Sequence, residues 1–179
     1  VAGIVAAKRD GRGVVGVAPR ASIYAAKVLT KDGQGNLFAI LQGVMWCQEK
    51  KVDVINMSLG AAQSMPMLEQ IIDQAVQSGI TVVAAAGNGN GQGGPSPVNF
   101  PGAYKNVIAV SALDDQDKIT PWSSRGPEVA FIAPGHKVPS TVPGSHDASY
   151  VKAYSGTSMA CPHVAGLAAL AVAKGARGK

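Results

Sequence analysis

The segment Ile80-Thr-Val-Val-Ala-Ala-Ala86 constrains the fold of this chain more than any other. It is uncharged, lies between Gly79 and Gly87, and is too short for a typical core helix. An apolar run of that kind reads as a strand covered on both faces. Such a strand needs a layer of structure on either side, and its neighbours supply the material. Residues 36–50 place Leu37, Ile40, Leu41, Val44 and Met45 at helical spacing, with Asn36 as the cap. Residues 66–78 form a second helical pattern, with Pro66 in its first turn and Gly79 at its stop. Further strands are expected at 22–28, 52–57 and 107–113, with shorter ones at 129–133 and 138–142. Residues 87–101, rich in Gly, Asn, Pro and Ser, are a loop. An apolar helix opens the chain at 1–7 and an Ala-rich helix covers 159–174. Strands alternating with helices imply an α/β fold, a three-layer sandwich with a mostly parallel sheet and helices on both faces. No linker divides the chain, so 1–179 is expected to lie within one domain.

Composition removes several function classes. At 46% hydrophobic and 15% charged residues the chain is not of the disordered type. No apolar run approaches the ~18 residues of a membrane span, so no membrane partner is expected. The net charge of +5 is scattered, apart from Lys8, Arg9 and Arg12 and the tail Lys174, Arg177 and Lys179. With 5% aromatics there is no basic, aromatic-studded face for nucleic acid. Cys47 and Cys161 are too few for a disulfide scaffold and lack metal-ligand spacing. Gly11, Gly13 and Gly16 spell a dinucleotide-type glycine pattern, but no strand precedes them. The opening helix has neither a capping residue nor an initiator Met, so the chain reads as starting inside an element.

In open parallel sheets, chemistry collects at the carboxyl ends of the strands. Strand 52–57 runs into Ser58-Leu59-Gly60, strand 80–86 runs into Gly87-Asn88-Gly89, and the last helix is introduced by Ser155-Gly156-Thr157-Ser158. Unpaired N–H groups at a helix start favour an anion, so a serine nucleophile at Ser158 would have oxyanion donors beside it. Spacing alone favours the plainer reading, in which Thr157 or Ser158 simply caps the helix. Asn88 between glycines is likewise either turn chemistry or a side-chain donor aimed at an oxyanion. His163 follows Ser158 by five residues, about 140° further round the helix, and reads as a packed residue. His136 and His146 read as loop residues at the surface.

Together these segments resemble a known family. Gly156-Thr-Ser-Met-Ala-Cys-Pro-His-Val-Ala-Gly166 resembles the active-serine signature of the subtilisin-like serine proteases, the subtilases. Gly16-Val-Ala-Pro19, Asp53-Val-Ile-Asn-Met-Ser-Leu-Gly60, Val83-Ala-Ala-Ala-Gly-Asn88, Phe100-Pro-Gly102 and Ser123-Ser-Arg-Gly-Pro127 resemble further landmarks of that family, in its order. The resemblance implies a serine endopeptidase acting through an acyl-enzyme on Ser158. It gives Asn88 and the Ser158 backbone N–H the role of oxyanion donors. Ser58, Leu59 and Gly60 match one wall of the pocket for the residue before the scissile bond, and Ala85, Ala86 and Gly87 match the other. Gly33-Gln34-Gly35 matches the edge that pairs with extended substrate, and Leu29 matches the lining of the neighbouring subsite. With no carboxylate at Gly89, the pocket is expected to take hydrophobic or aromatic residues.

The family's histidine belongs to a His-Gly-Thr-His-Val-Ala-Gly motif, and this chain opens at Val1-Ala-Gly3. Its aspartate lies further upstream. The resemblance therefore implies that 1–179 is the carboxyl-terminal part of a single catalytic domain and lacks both residues. The alternative is an inactive pseudoprotease or peptide-binding module. Peptide or protein substrates and a propeptide inhibitor are the implied partners, and secretion the implied location. No cofactor is required for the chemistry. The family's structural calcium implies a site near loop 8–14, where Asp10 could ligate, but no metal residue is assigned. Cys161 reads as a buried free thiol or as a thiol-sensitive position near Ser158.

Overall fold

The computed structural model describes residues 1–89, 96–143 and 151–176. Helices α1 (Ala2–Ala6) and α2 (Leu37–Glu49) precede strand β1 (Val54–Met57). Helix α3 (Pro66–Gln77), β2 (Thr81–Ala85), β3 (Ile108–Leu113) and β4 (Val129–Pro134) follow. The pair β5 (Val138–Thr141) and β6 (Val151–Tyr154) and the long helix α4 (Thr157–Ala173) complete the chain. Strands β1 to β4 form one sheet in that order, and every pairing within it is parallel. Helices α2 and α3 cover one face, and α4, with α1 packed on it, covers the other. The sandwich with two helical faces expected from the sequence is the one observed.

Side-chain alternation explains the layers. In β2 all residues are buried: Val82 and Ala84 join the cluster under α2 and α3, and Val83 and Ala85 join the one under α4. Leu68 and Ile72 of α3 are completely buried against the first face. Truncating either to Ala would cost about 2–5 kcal/mol. The helix signals act as expected: Asn36 accepts from the Ala39 N–H at 2.9 Å, Pro66 lies in the first turn of α3, and Gly79 follows that helix with φ 88°.

Three expectations are corrected. Residues 22–28 do not form a strand; they are mostly exposed, with Ile23 at 49% and Tyr24 at 54%. A strand exists only through a ladder partner, and a cleft of about 650 Å³ lies between this segment and β1, lined by both. The second concerns an omission: the strand expected at 138–142 is present as β5, but it pairs antiparallel with β6, a strand the sequence reading missed. Finally, α4 begins at Thr157 rather than at residue 159, which sets Ser158 inside its first turn.

Candidate active site

The site forms where β1 and β2 end and α4 begins. Helix α4 starts after Gly156, whose φ of 155° is open to glycine. Thr157, 1% exposed, joins this start to the end of β2. Its Oγ1 donates to Asn88 Oδ1 at 2.9 Å and accepts from the Gly87 N–H at 3.1 Å. The Thr157 N–H also donates to Asn88 Oδ1, at 2.8 Å. Two bonds on its oxygen fix the Asn88 amide, and its nitrogen is the end that remains to donate. A Cβ added to Gly156 would lie 3.5 Å from Asn88 Nδ2 and 3.7 Å from Ser158 N. The absent side chain thus leaves a space bordered by both donors. Ser158 N is a first-turn donor and has no acceptor within its own helix.

Ser158 is half-buried, and its Oγ donates to the Ser58 carbonyl at 3.2 Å. Ser58 Oγ donates in return to the Ser158 carbonyl at 3.0 Å and accepts from Asn56 Nδ2 at 3.0 Å. On the other side of Asn56, the Cys161 thiol donates to Oδ1 at 3.2 Å. Cys161 is fully buried, and loss of solvent pushes its pKa up to about 12, against the lowering influence of the neighbouring Ser58 side chain and the Met57 backbone. Of its two sequence readings, the buried thiol is the one that fits.

The expected pocket walls come together. Gly60 and Gly87 both approach the half-buried Asn99: a Cβ on Gly60 would lie 3.2 Å from Asn99 Cβ, and one on Gly87 2.9 Å from Asn99 Nδ2. Ala85 and Ala86 are buried, Leu59 is half-buried and Gly60 exposed. Asn99 escaped the sequence reading because it sits in a turn-rich loop, and only the folded chain brings it between the walls. Asn56 left a weak signal, an amide inside the strand sequence Val-Ile-Asn-Met.

Leu29 and Gly35 form an antiparallel bridge, closed by a turn with Gly33 at φ 75°. Residues 30–36 are exposed.

The histidines lie apart from the nucleophile. His163 Nδ1 bonds the Met159 carbonyl at 2.9 Å within its own helix, and burial lowers its pKa against the raising effect of backbone hydrogen bonds. His136 Nδ1 is 3.5 Å from Ser155 Oγ. His146 lies outside the described residues. Among the described residues no group of three His, Cys, Asp or Glu side chains converges. In loop 8–14 the one carboxylate is Asp10, whose Oδ1 accepts from the Arg12 N–H at 3.1 Å. A hard cation wants six to eight oxygens, backbone carbonyls among them, and Asp10 supplies the one carboxylate this loop can contribute.

Comparison with known proteins adds four findings. The sequence model of the subtilase family matches residues 1–177. The chain is 47% identical to "Subtilisin E" of Bacillus subtilis (strain 168) over 97% of its own length and 45% of that protein. It is also 47% identical to "Subtilisin DY" of Bacillus licheniformis, over 97% of the chain and 62% of that protein. A more distant relative, "Minor extracellular protease Epr" of B. subtilis (strain 168), is 43% identical over 95% of the chain and 25% of its own length. The chain thus spans roughly half the length of the first two, and less of the third.

Proposed function

The chain belongs to the subtilase family, and on that premise we propose that the protein carrying it is a serine endopeptidase with Ser158 as its nucleophile. Ser158 Oγ attacks the substrate carbonyl carbon and its proton passes to a general base. The oxyanion that forms accepts hydrogen bonds from Asn88 Nδ2 and the Ser158 N–H. Collapse of the intermediate breaks the C–N bond, the base returns the proton to the leaving amine, and water then hydrolyses the acyl-enzyme. The base is an imidazole from outside the described residues, since both histidines described are committed elsewhere. The reading is supported by the tethered Asn88 amide, whose Nδ2 borders the space in front of Gly156 together with Ser158 N.

The residue before the cut enters between Ser58–Gly60 and Ala85–Gly87, against Asn99. That amide gives the otherwise apolar pocket a hydrogen-bonding point, and the pocket's preference is for hydrophobic or aromatic side chains. Extended substrate adds a strand along Gly33–Gly35, beside Leu29. The chemistry calls on no cofactor. We propose secretion for this protein, in keeping with the relative named as extracellular; no helix among the described residues is long and apolar enough to cross a membrane.

The test expresses the complete reading frame and follows a chromogenic peptide. Ser158→Ala is expected to abolish turnover, by about 2 × 10⁶ in kcat, a magnitude carried over from a subtilisin. Saturable peptide binding without turnover in the unmutated protein would establish the pseudoprotease instead.

A further inference from the structure

Helix α4 contains a proline, Pro162, whose ring nitrogen has no hydrogen to give. The acceptor it would have served lies four residues back, and that residue is Ser158. The residue read as the nucleophile therefore has a backbone carbonyl without its helical donor. The structure fills this gap from another strand, through the Ser58 hydroxyl at 3.0 Å.

Ser58 can serve only in one orientation. Its single hydroxyl proton is used on the Ser158 carbonyl, so it must accept from any further partner. Asn56 presents its Nδ2 donor at 3.0 Å, which satisfies that demand. The Asn56 amide is held the right way round by its oxygen, which accepts from the Cys161 thiol at 3.2 Å. That thiol is completely buried and stays protonated. Reversed, the amide would offer oxygen to Ser58 and draw its proton away from Ser158. The chain of donors runs Cys161 to Asn56 to Ser58 to Ser158, and the Ser158 Oγ closes it on the Ser58 carbonyl at 3.2 Å.

We infer that Asn56 is a positioning residue for the nucleophile: oriented by Cys161, it fixes the Ser58 hydroxyl on the carbonyl that Pro162 leaves open, and so fixes the first turn that carries Ser158. Asn56 touches neither substrate nor reacting atoms. The inference rests on the reading of Ser158 as nucleophile and adds to it a reason for a polar residue in β1 and for a thiol in α4.

The test uses the protein of the complete reading frame, with Ser158→Ala as the reference for the underlying reading. Asn56→Ala is expected to lower kcat about tenfold at unchanged KM, the kinetic equivalent of one buried hydrogen bond. Pro162→Ala returns an N–H to the Ser158 carbonyl, so in that background Asn56→Ala should cost no more than about twofold. A purely structural contribution of Asn56 would be the same in both backgrounds, and that equality would overturn the inference. Cys161→Ser, which keeps a donor, should retain the kcat that Cys161→Ala loses by about threefold. This pair decides the matter if Asn56→Ala fails to fold, and equal rates for the two would refute the relay. If Ser158→Ala retains activity, or the unmutated protein has none, the nucleophile reading falls and this inference with it. If Ser158→Ala is inactive and Asn56→Ala keeps its kcat, the relay alone fails.

Discussion

Replacing Thr157 by valine tests whether the joint between β2 and α4 holds the Asn88 amide, the proposed oxyanion donor, in place. Valine fills nearly the same volume, so the completely enclosed site gains no cavity. Two hydrogen bonds disappear, the 2.9 Å bond to Asn88 Oδ1 and the 3.1 Å bond from the Gly87 N–H. The Gly87 donor is then left without a partner, which costs about 1–3 kcal/mol, and the lost bond to Asn88 adds about 1 kcal/mol. The expected destabilisation is about 2–4 kcal/mol, read as a lower urea midpoint at unchanged slope. Measuring it in a Ser158→Ala background prevents self-digestion. With Ser158 restored, kcat should fall about tenfold at constant KM. The loss is partial because Asn88 Oδ1 keeps its 2.8 Å bond from the Thr157 N–H. Thr157→Ser preserves the hydroxyl and should remain within about twofold of the unmutated kcat. A Thr157→Val protein with unchanged midpoint and unchanged kcat would refute the reasoning.

Asn88→Ala removes the donor itself and should lower kcat by about 10²–10³ with little change in KM, a magnitude carried over from a subtilisin; a raised KM at constant kcat would make Asn88 a ground-state contact. Burial lowers the His163 pKa, so the unfolded chain binds that proton more readily and stability falls as pH drops through 6.5 toward the folded value. His163→Gln should flatten that part of a stability–pH curve measured by urea denaturation. A thiol reagent at pH 8 should leave Cys161 unmodified in the native protein and reach it in denaturant, while the half-buried Cys47 reacts in both states; peptide mapping of the labelled protein reads the difference. The chain of residues 1–179 alone should show no Ser158-dependent labelling by a fluorophosphonate, because no imidazole among its described residues bonds Ser158; stoichiometric labelling lost in Ser158→Ala would reveal a base within it.

The parts of the fold legible in sequence are those that local chemistry decides. Ile80–Ala86 needs both faces covered whatever surrounds it, and Asn36 caps whichever helix follows it. Residues 22–28 have the composition of a strand, yet strand formation depends on an edge within reach, and the cleft beside β1 separates the two. The tetrapeptide Val-Lys-Ala-Tyr of β6 is too short for its alternation to stand out, and its partner strand is not adjacent to it in sequence. At the site, the motif singled out Ser158 and Asn88, which the structure places beside one another around Gly156, but not Asn99 or Asn56. Their roles arise from contacts across long stretches of chain, Asn99 with Gly60 and Gly87, and Asn56 with Cys161.

The places where local rules are broken crowd around Ser158, and each violation is answered by another. A proline inside a helix strands a carbonyl, and a serine from β1's end takes it up. An amide in a buried strand would be costly unpaired, and a thiol and that same serine occupy both its ends. A glycine at φ 155° gives up side-chain packing, and the space it leaves borders two donors. Any one of these residues, replaced by the choice that suits its helix or strand better, would remove the reason for its neighbour. Replaced singly, each leaves its partner unpaired or, at Gly156, strains the backbone, so stability resists changing them one at a time. Their joint presence is economical only if the geometry of the first turn of α4 matters for chemistry, and it makes the effects of substitutions there non-additive by construction.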